Sequence, residues 1–167
     1  MFNIGDTVIY GTQGICKIEE KIQKDLKGKM TEYFVLKPIY EKSSTIFLPL
    51  ENDVLMSRMR PILSKDEVLD IINTIPSKET IWIENENLRK TKYGEILVRS
   101  KPIELVQLIK TLFLHEKKQK QIGRKFHLTD EAFLKDAEKI LYSEFAYVLN
   151  IKTNEVIPFI TEQLENC

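Results

Sequence analysis

"PILSKDEVLDII", residues 61–72, divides the chain into two patterns. Ahead of it apolar and polar residues alternate, while within it the apolar ones recur at helical spacing, and the change predicts a β module followed by helices. Ser64 and Glu67 have the spacing of a capping box, and Val68, Ile71 and Ile72 give the ensuing helix one apolar side. Pro76 ends that helix.

Upstream, DTVIY (6–10), ICKIEEKI (15–22), YFVLK (33–37) and TIFLPL (45–50) read as short antiparallel strands. Gly11 and Gly14 bracket one turn, and Asp25, Lys27 and Gly28 suit the next. Four or five such strands predict a small curled sheet of the SH3 or Tudor kind, closed to limit its edges. Downstream, a second helix is predicted from near Thr80 toward Tyr93, with Gly94 weakening or stopping it. A third follows Ser100, whose hydroxyl is placed to cap it, with Pro102 tolerated in its first turn and Leu105, Leu108, Ile109 and Leu112 along one side. A fourth opens at Thr129 and Asp130 and carries Phe133, Ala137, Ile140, Leu141, Phe145 and Val148; a last, from about Asn154, carries Val156, Ile160 and Leu164. Residues 115–126, HEKKQKQIGRKF, read as a solvated basic loop between the third and fourth helices. The fold class is therefore α+β: a small Tudor/SH3-like antiparallel β module over residues 1–60, then an all-α helical domain over residues 61–167, joined near Ser57 to Ser64.

Composition narrows the function. With 43% hydrophobic residues in 167 the chain can bury a core without staples. Cys16 and Cys167 lack CxxC or Cys/His spacing, which supports neither a disulfide framework nor a zinc site and makes a reducing cytoplasm the expected home. No segment approaches the roughly 18 consecutive apolar residues of a membrane span. The charges balance at 25 cations and 25 anions, unevenly spread. Residues 82–128 hold eleven cations and five anions; residues 129–167 hold three and eight. That asymmetry fits either a nucleic-acid-facing patch or two differently solvated helical faces. The two histidines, His115 and His127, fall at predicted helix ends with no nucleophile pattern nearby, and no phosphate loop, HExxH or GxSxG occurs. No catalytic residue, metal, cofactor or small-molecule substrate is expected. Binding remains.

Two places offer it. In TIFLPL, Ile46, Leu48 and Leu50 share one side, so Phe47 points to the other, and Pro49, which cannot donate to a ladder, favours an edge strand. An edge with an outward aromatic can add to a partner's sheet, unless a loop or the helical half covers it. On the predicted second helix Trp82, the only tryptophan, shares a flank with Arg89 and Tyr93. A flat apolar ring beside a cation suits insertion at an unstacked base step; the competing reading packs the indole between helices.

The order of Gly5-Asp6-Thr7-Val8-Ile9-Tyr10, Gly14-Ile15-Cys16-Lys17-Ile18, Tyr33-Phe34-Val35-Leu36 and Thr45 to Pro49 resembles the CarD/CdnL transcription regulators, whose N-terminal module also occurs in transcription-repair coupling factors. Trp82, Leu105 to Leu112, Leu134, Ala137-Glu138-Lys139-Ile140-Leu141 and Glu144 extend the resemblance. It implies a cytoplasmic, bacterial, non-catalytic regulator whose Tudor-like domain docks on the RNA polymerase β subunit through the strand holding Thr45, Ile46, Phe47 and Pro49, with Lys24 from the neighbouring hairpin. It also implies that Trp82 wedges into promoter DNA at the upstream border of the melted region, flanked by Arg89, Lys90, Lys92, Arg124 and Lys125. Relatives commonly carry a basic residue where Phe47 stands, and basic residues directly after the tryptophan where this chain has Ile83 and Glu84. The fourth helix here begins Asp130-Glu131. These departures imply weak, non-specific binding to free DNA, and they leave an adaptor without DNA contact as the alternative.

Overall fold

The computed structural model describes residues 1–166, so Cys167 lies outside the described residues. The chain divides into two compact units, Met1–Ile62 and Leu63–Cys167. The first is a five-stranded antiparallel sheet and the second is helical, which makes the fold α+β.

In the first unit, β1 (Thr7–Tyr10), β2 (Ile15–Leu26), β3 (Lys29–Pro38), β4 (Ile46–Pro49) and β5 (Met59–Pro61) lie in the order β4-β3-β2-β1-β5. β2 and β3 form a hairpin longer than the alternation predicts. Its outer half is exposed, so no buried face marks it in the sequence; the ladder continues to the pair Leu26 and Lys29. Lys27 and Gly28 turn it with φ of 54° and 84°, and the Gly28 N–H donates to Asp25 Oδ1 at 2.8 Å. Two successive left-handed residues match the twist of the flanking strands, which is why Gly sits second. Val8, Cys16, Ile18, Phe34, Leu36, Leu48 and Met59 form the core, with Ile46 and Leu50 packed against it. Burial pushes the Cys16 thiol up to about 12, so it behaves as a small core hydrophobe. β5 falls inside the stretch read as a linker: it is only three residues long and pairs with β1 rather than with a sequence neighbour.

In the second unit, Ser64 caps α2 (Lys65–Thr74) with the expected box: Glu67 N–H donates to Ser64 Oγ, and Ser64 N–H donates to Glu67 Oε2 at 2.7 Å. Val68, Ile71 and Ile72 are buried. α3 (Glu86–Arg99), α4 (Pro102–Gln121), α5 (Leu128–Leu149) and α6 (Val156–Glu165) follow. A short helical turn, α1 (Asp53–Met56), precedes β5 in the first unit.

Three expectations are corrected. Helix α3 begins at Glu86, capped by the Asn85 side chain, so Thr80 to Ile83 are not helical and Trp82 precedes the helix. Gly94 does not stop α3, which runs on to Arg99; Ser100, at φ 49°, is its left-handed C-cap and not the cap of α4. Residues 115–121 belong to α4, not to a loop. Their Lys, Gln and Glu side chains are good helix formers, Glu116 pairs with Lys120 at 3.0 Å, and Gly123 at φ 70° ends the run. No helix among the described residues is long and apolar enough to cross a membrane.

The capping box gives the first test. Ser64→Ala should cost about 1 kcal/mol of stability, read as a lowered midpoint in urea unfolding followed by helical circular dichroism, whereas Ser64→Asp should retain most of it.

Candidate functional site

Residues 78–85 form an extended loop; its backbone and the turn before it are held by side chains from two helices, α3 and α4. Lys110 Nζ donates to the carbonyls of Ile75, Pro76 and Lys78 at 3.1, 3.0 and 2.8 Å. The Ile81 N–H donates to Thr111 Oγ1 at 2.9 Å, and the Tyr93 hydroxyl donates to the Ile81 carbonyl at 2.9 Å. Burial pushes that hydroxyl up to about 12, so it keeps its proton, and its donor role, across the physiological range. Arg89 Nη1 donates to the carbonyls of Ile83 and Glu84 at 2.9 and 3.2 Å. The loop escapes helical form because its peptide groups are taken by these partners.

Arg89 is the anchor. It is 4% exposed, and its Nε and Nη2 donate to the two carboxylate oxygens of Asp130, 1% exposed, at 2.9 and 3.2 Å. Its guanidinium also lies over the Trp82 ring, 4.5 Å from the centroid. The cation expected to meet phosphate therefore sits inside the unit and positions the indole from behind.

Trp82 is half-buried, neither enclosed nor projecting. Its ring stacks on His115 with centroids 3.7 Å apart and planes at 17°, and Phe126 lies 6.1 Å beyond His115. An open groove of about 290 Å³ runs past the indole, lined by Thr80, Trp82, Glu84, Thr111, His115 and Lys118 among others. Lys118, Arg124 and Lys125 are exposed and make no ion pair among the described residues. Lys90 and Lys92 are exposed too, but each pairs along its own helix, with Glu86 at 3.1 Å and Glu95 at 3.7 Å. Of the six residues assigned to DNA, Arg124 and Lys125 thus meet solvent with no ion pair among the described residues, Trp82 is half-buried with His115 stacked on its ring and Arg89 lying over it, Lys90 and Lys92 are locally neutralised, and Arg89 is internal.

Sequence reasoning missed His115, Lys118 and Phe126 as members of the site. One signal was available: Thr111, His115 and Lys118 recur at helical spacing, which argues for one helix face continuing through the basic segment. The partnership of Arg89 with Asp130, 41 residues apart, had none.

In the first unit, β4 is the edge strand, and Phe47 points away from the core with 47% of its surface exposed. Lys24 Nζ sits 3.9 Å from the Phe47 ring centroid, so the two residues assigned to one contact do form one patch. Thr45 is exposed and accepts a hydrogen bond from Lys37 Nζ, while Ile46 turns its side chain to the core and leaves only backbone for a partner. The Leu50 N–H donates to the Glu32 carbonyl at 3.0 Å. By the alternation of an antiparallel ladder, Leu48 and Ile46 then bond inward and Phe47 outward, with Pro49 offering an acceptor but no donor. Along β4 an added strand would find one N–H, that of Phe47, and two carbonyls, those of Phe47 and Pro49.

Residues 2–62 match the CarD-like/TRCF RID domain, a match that coincides with the first unit and leaves the helices uncovered. No curated protein matches the chain.

The buried ion pair can be tested directly. Asp130→Asn leaves the Arg89 charge inside without its counter-ion and should cost about 3–5 kcal/mol, with a red shift in Trp82 emission; Lys90→Gln, at an exposed pair, should leave both unchanged.

Proposed function

We propose, on the premise that the first unit is a CarD-like RNA polymerase-interacting domain, that the chain binds the β subunit of a bacterial RNA polymerase through β4 and tunes open promoter complexes by contacting DNA with its helical unit. One observation carries the DNA half of this reading. The only tryptophan is held half-exposed by a stack on His115, beside Lys118, which makes no ion pair among the described residues.

The chemistry follows from that arrangement. Lys118, Arg124 and Lys125 attract phosphate without reading sequence, and the indole, its ring held between His115 and Arg89, offers its exposed apolar edge as a wedge to a base that has lost a stacking neighbour. Duplex DNA presents no such base at low cost, whereas the upstream border of a melted region does. A ring that prefers the melted form shifts the equilibrium toward it by that preference and slows rezipping. No catalytic step, metal or small molecule enters the reading, and a polymerase partner would put the chain in the cytoplasm.

Docking through β4 is supported by its edge position and by the Phe47–Lys24 patch. The first unit would act as a Tudor-like tether, and a tether lets a weak DNA contact count by raising its effective concentration.

A fork-junction promoter with polymerase separates this from an adaptor that never touches DNA. Trp82→Ala should shorten open-complex lifetime by roughly tenfold, the worth of one stacked base. Phe47→Ala should abolish capture of the β subunit. An unchanged lifetime in Trp82→Ala, with polymerase binding still dependent on Phe47, gives the adaptor. Lys118→Gln, Arg124→Gln and Lys125→Gln should each flatten the dependence of log affinity on log salt by about 0.7–0.9.

A further inference from the structure

We infer that His115 is the positioning residue for Trp82, and that its protonation changes how the indole is presented. The inference deepens the DNA reading, but its first test does not depend on DNA.

The imidazole supplies the surface on which the indole lies, at 3.7 Å and nearly parallel, and it is the one titratable group in that stack. On its far side the Gln119 amide nitrogen lies 3.1 Å from His115 Nε2. An amide N–H donor needs a lone pair there, so this geometry belongs to neutral His115 protonated on Nδ1. The other end of that amide, Gln119 Oε1, is buried and has no hydrogen-bond partner among the described residues. Rotating the amide by half a turn would aim Oε1 at Nε2, where it could accept from a protonated ring. Gln119 can therefore serve either state without moving the ring, so what protonation changes is the charge carried under the indole.

The surrounding charges oppose one another. Burial lowers the readiness of His115 to take a proton, Asp130 on α5 raises it, Arg89 on α3 lowers it, Glu84 on the loop raises it and Lys118 on α4 itself lowers it. The net direction is below the ordinary imidazole value, so the neutral stack is the resting form at neutral pH. Protonation puts a third cation next to Arg89 and Lys118 but also places it on an aromatic face, which favours it. A phosphate arriving at Lys118 tips the balance toward the charged ring. Under the DNA reading, the contact should strengthen as pH falls through the His115 transition.

Because Trp82 is the only tryptophan, its fluorescence reports this stack alone. In the full chain, emission should change between about pH 8 and about pH 5, with a midpoint below the usual imidazole value, as the ring stacked on the indole takes up its charge. His115→Phe should keep the emission wavelength of the neutral stack and lose the titration; His115→Ala should shift emission to the red; His127→Gln should change neither. Circular dichroism confirms that each variant is folded. The inference is overturned if His115→Phe titrates like the parent, if the parent does not titrate, or if His115→Ala leaves the emission in place. On the fork-junction promoter, lowering the pH to about 6 should lengthen the complex several-fold for the parent but not for His115→Phe. If the fluorescence titrates and open-complex lifetime ignores both pH and Trp82→Ala, the DNA reading fails and the positioning role stands.

Discussion

The ion pair between Arg89 and Asp130 is the constraint on which the helical unit's surface depends. Two charges out of water cost several kcal/mol before their attraction repays it, so such a pair is weak evidence for stability. Its value here is geometric. A guanidinium has a planar fork of five donors, and Arg89 spends them on both oxygens of Asp130 and on the carbonyls of Ile83 and Glu84. One side chain thereby joins α3 to α5 and fixes the backbone just after Trp82. Lysine at this position would supply the charge without the fork, and the loop would lose its registration against α5.

That constraint also explains where the sequence was legible and where it was not. The capping box of α2, its buried Val68, Ile71 and Ile72, the edge position of β4 and the outward turn of Phe47 all follow from spacing within a few residues. The region from Thr80 to Asn85 did not. Its side chains tolerate a helix, and Ile81 with Leu88 even suggests a buried line. Yet Leu88 is exposed, because the helix begins only after Asn85 and the peptide groups ahead of it are claimed by Thr111, Tyr93 and Arg89. Those claims come from elsewhere in the chain, and local propensity yields to them. The same mechanism moved Arg89 from the expected surface to the interior: its partner is a carboxylate that, read alone, only decorates the first turn of α5.

The sheet shows a different limit. Alternation marks a strand by its half-buried face, so β2 and β3 were legible where Ile18, Phe34 and Leu36 enter the core and not where the hairpin runs on, exposed, to Lys27 and Gly28. That extension matters to the edge, since Lys24 lies on it and reaches across to Phe47. A cation over an exposed ring contributes only about 0.5–1 kcal/mol, enough to hold the ring flat without sealing it. Phe47 is thus an exposed apolar ring rimmed by charge.

Zero net charge looks at first like evidence against a nucleic-acid surface. The distribution of partners matters more than the total. Along α3 and the start of α5, Lys90, Lys92, Arg99 and Lys135 are each matched by a glutamate within a turn or so, and Arg89 and Lys110 are spent on internal acceptors. Among the described residues Lys117, Lys118, Arg124 and Lys125 make no ion pair and fall together at the end of α4 and in the connection after it, and Lys118 lines the groove beside the Trp82–His115 stack. Helix-internal pairing neutralises part of the positive charge of the helical unit and leaves a cluster at this place, with single cations such as Lys65, Lys101 and Lys139 scattered elsewhere. A remainder of three or so cations cannot hold DNA alone at physiological salt, because each phosphate contact is paid back in part by counterions returning from solution. Under the proposed function it would only have to orient a strand that a tethered partner had already brought near, the first unit supplying proximity and the helical unit the ring.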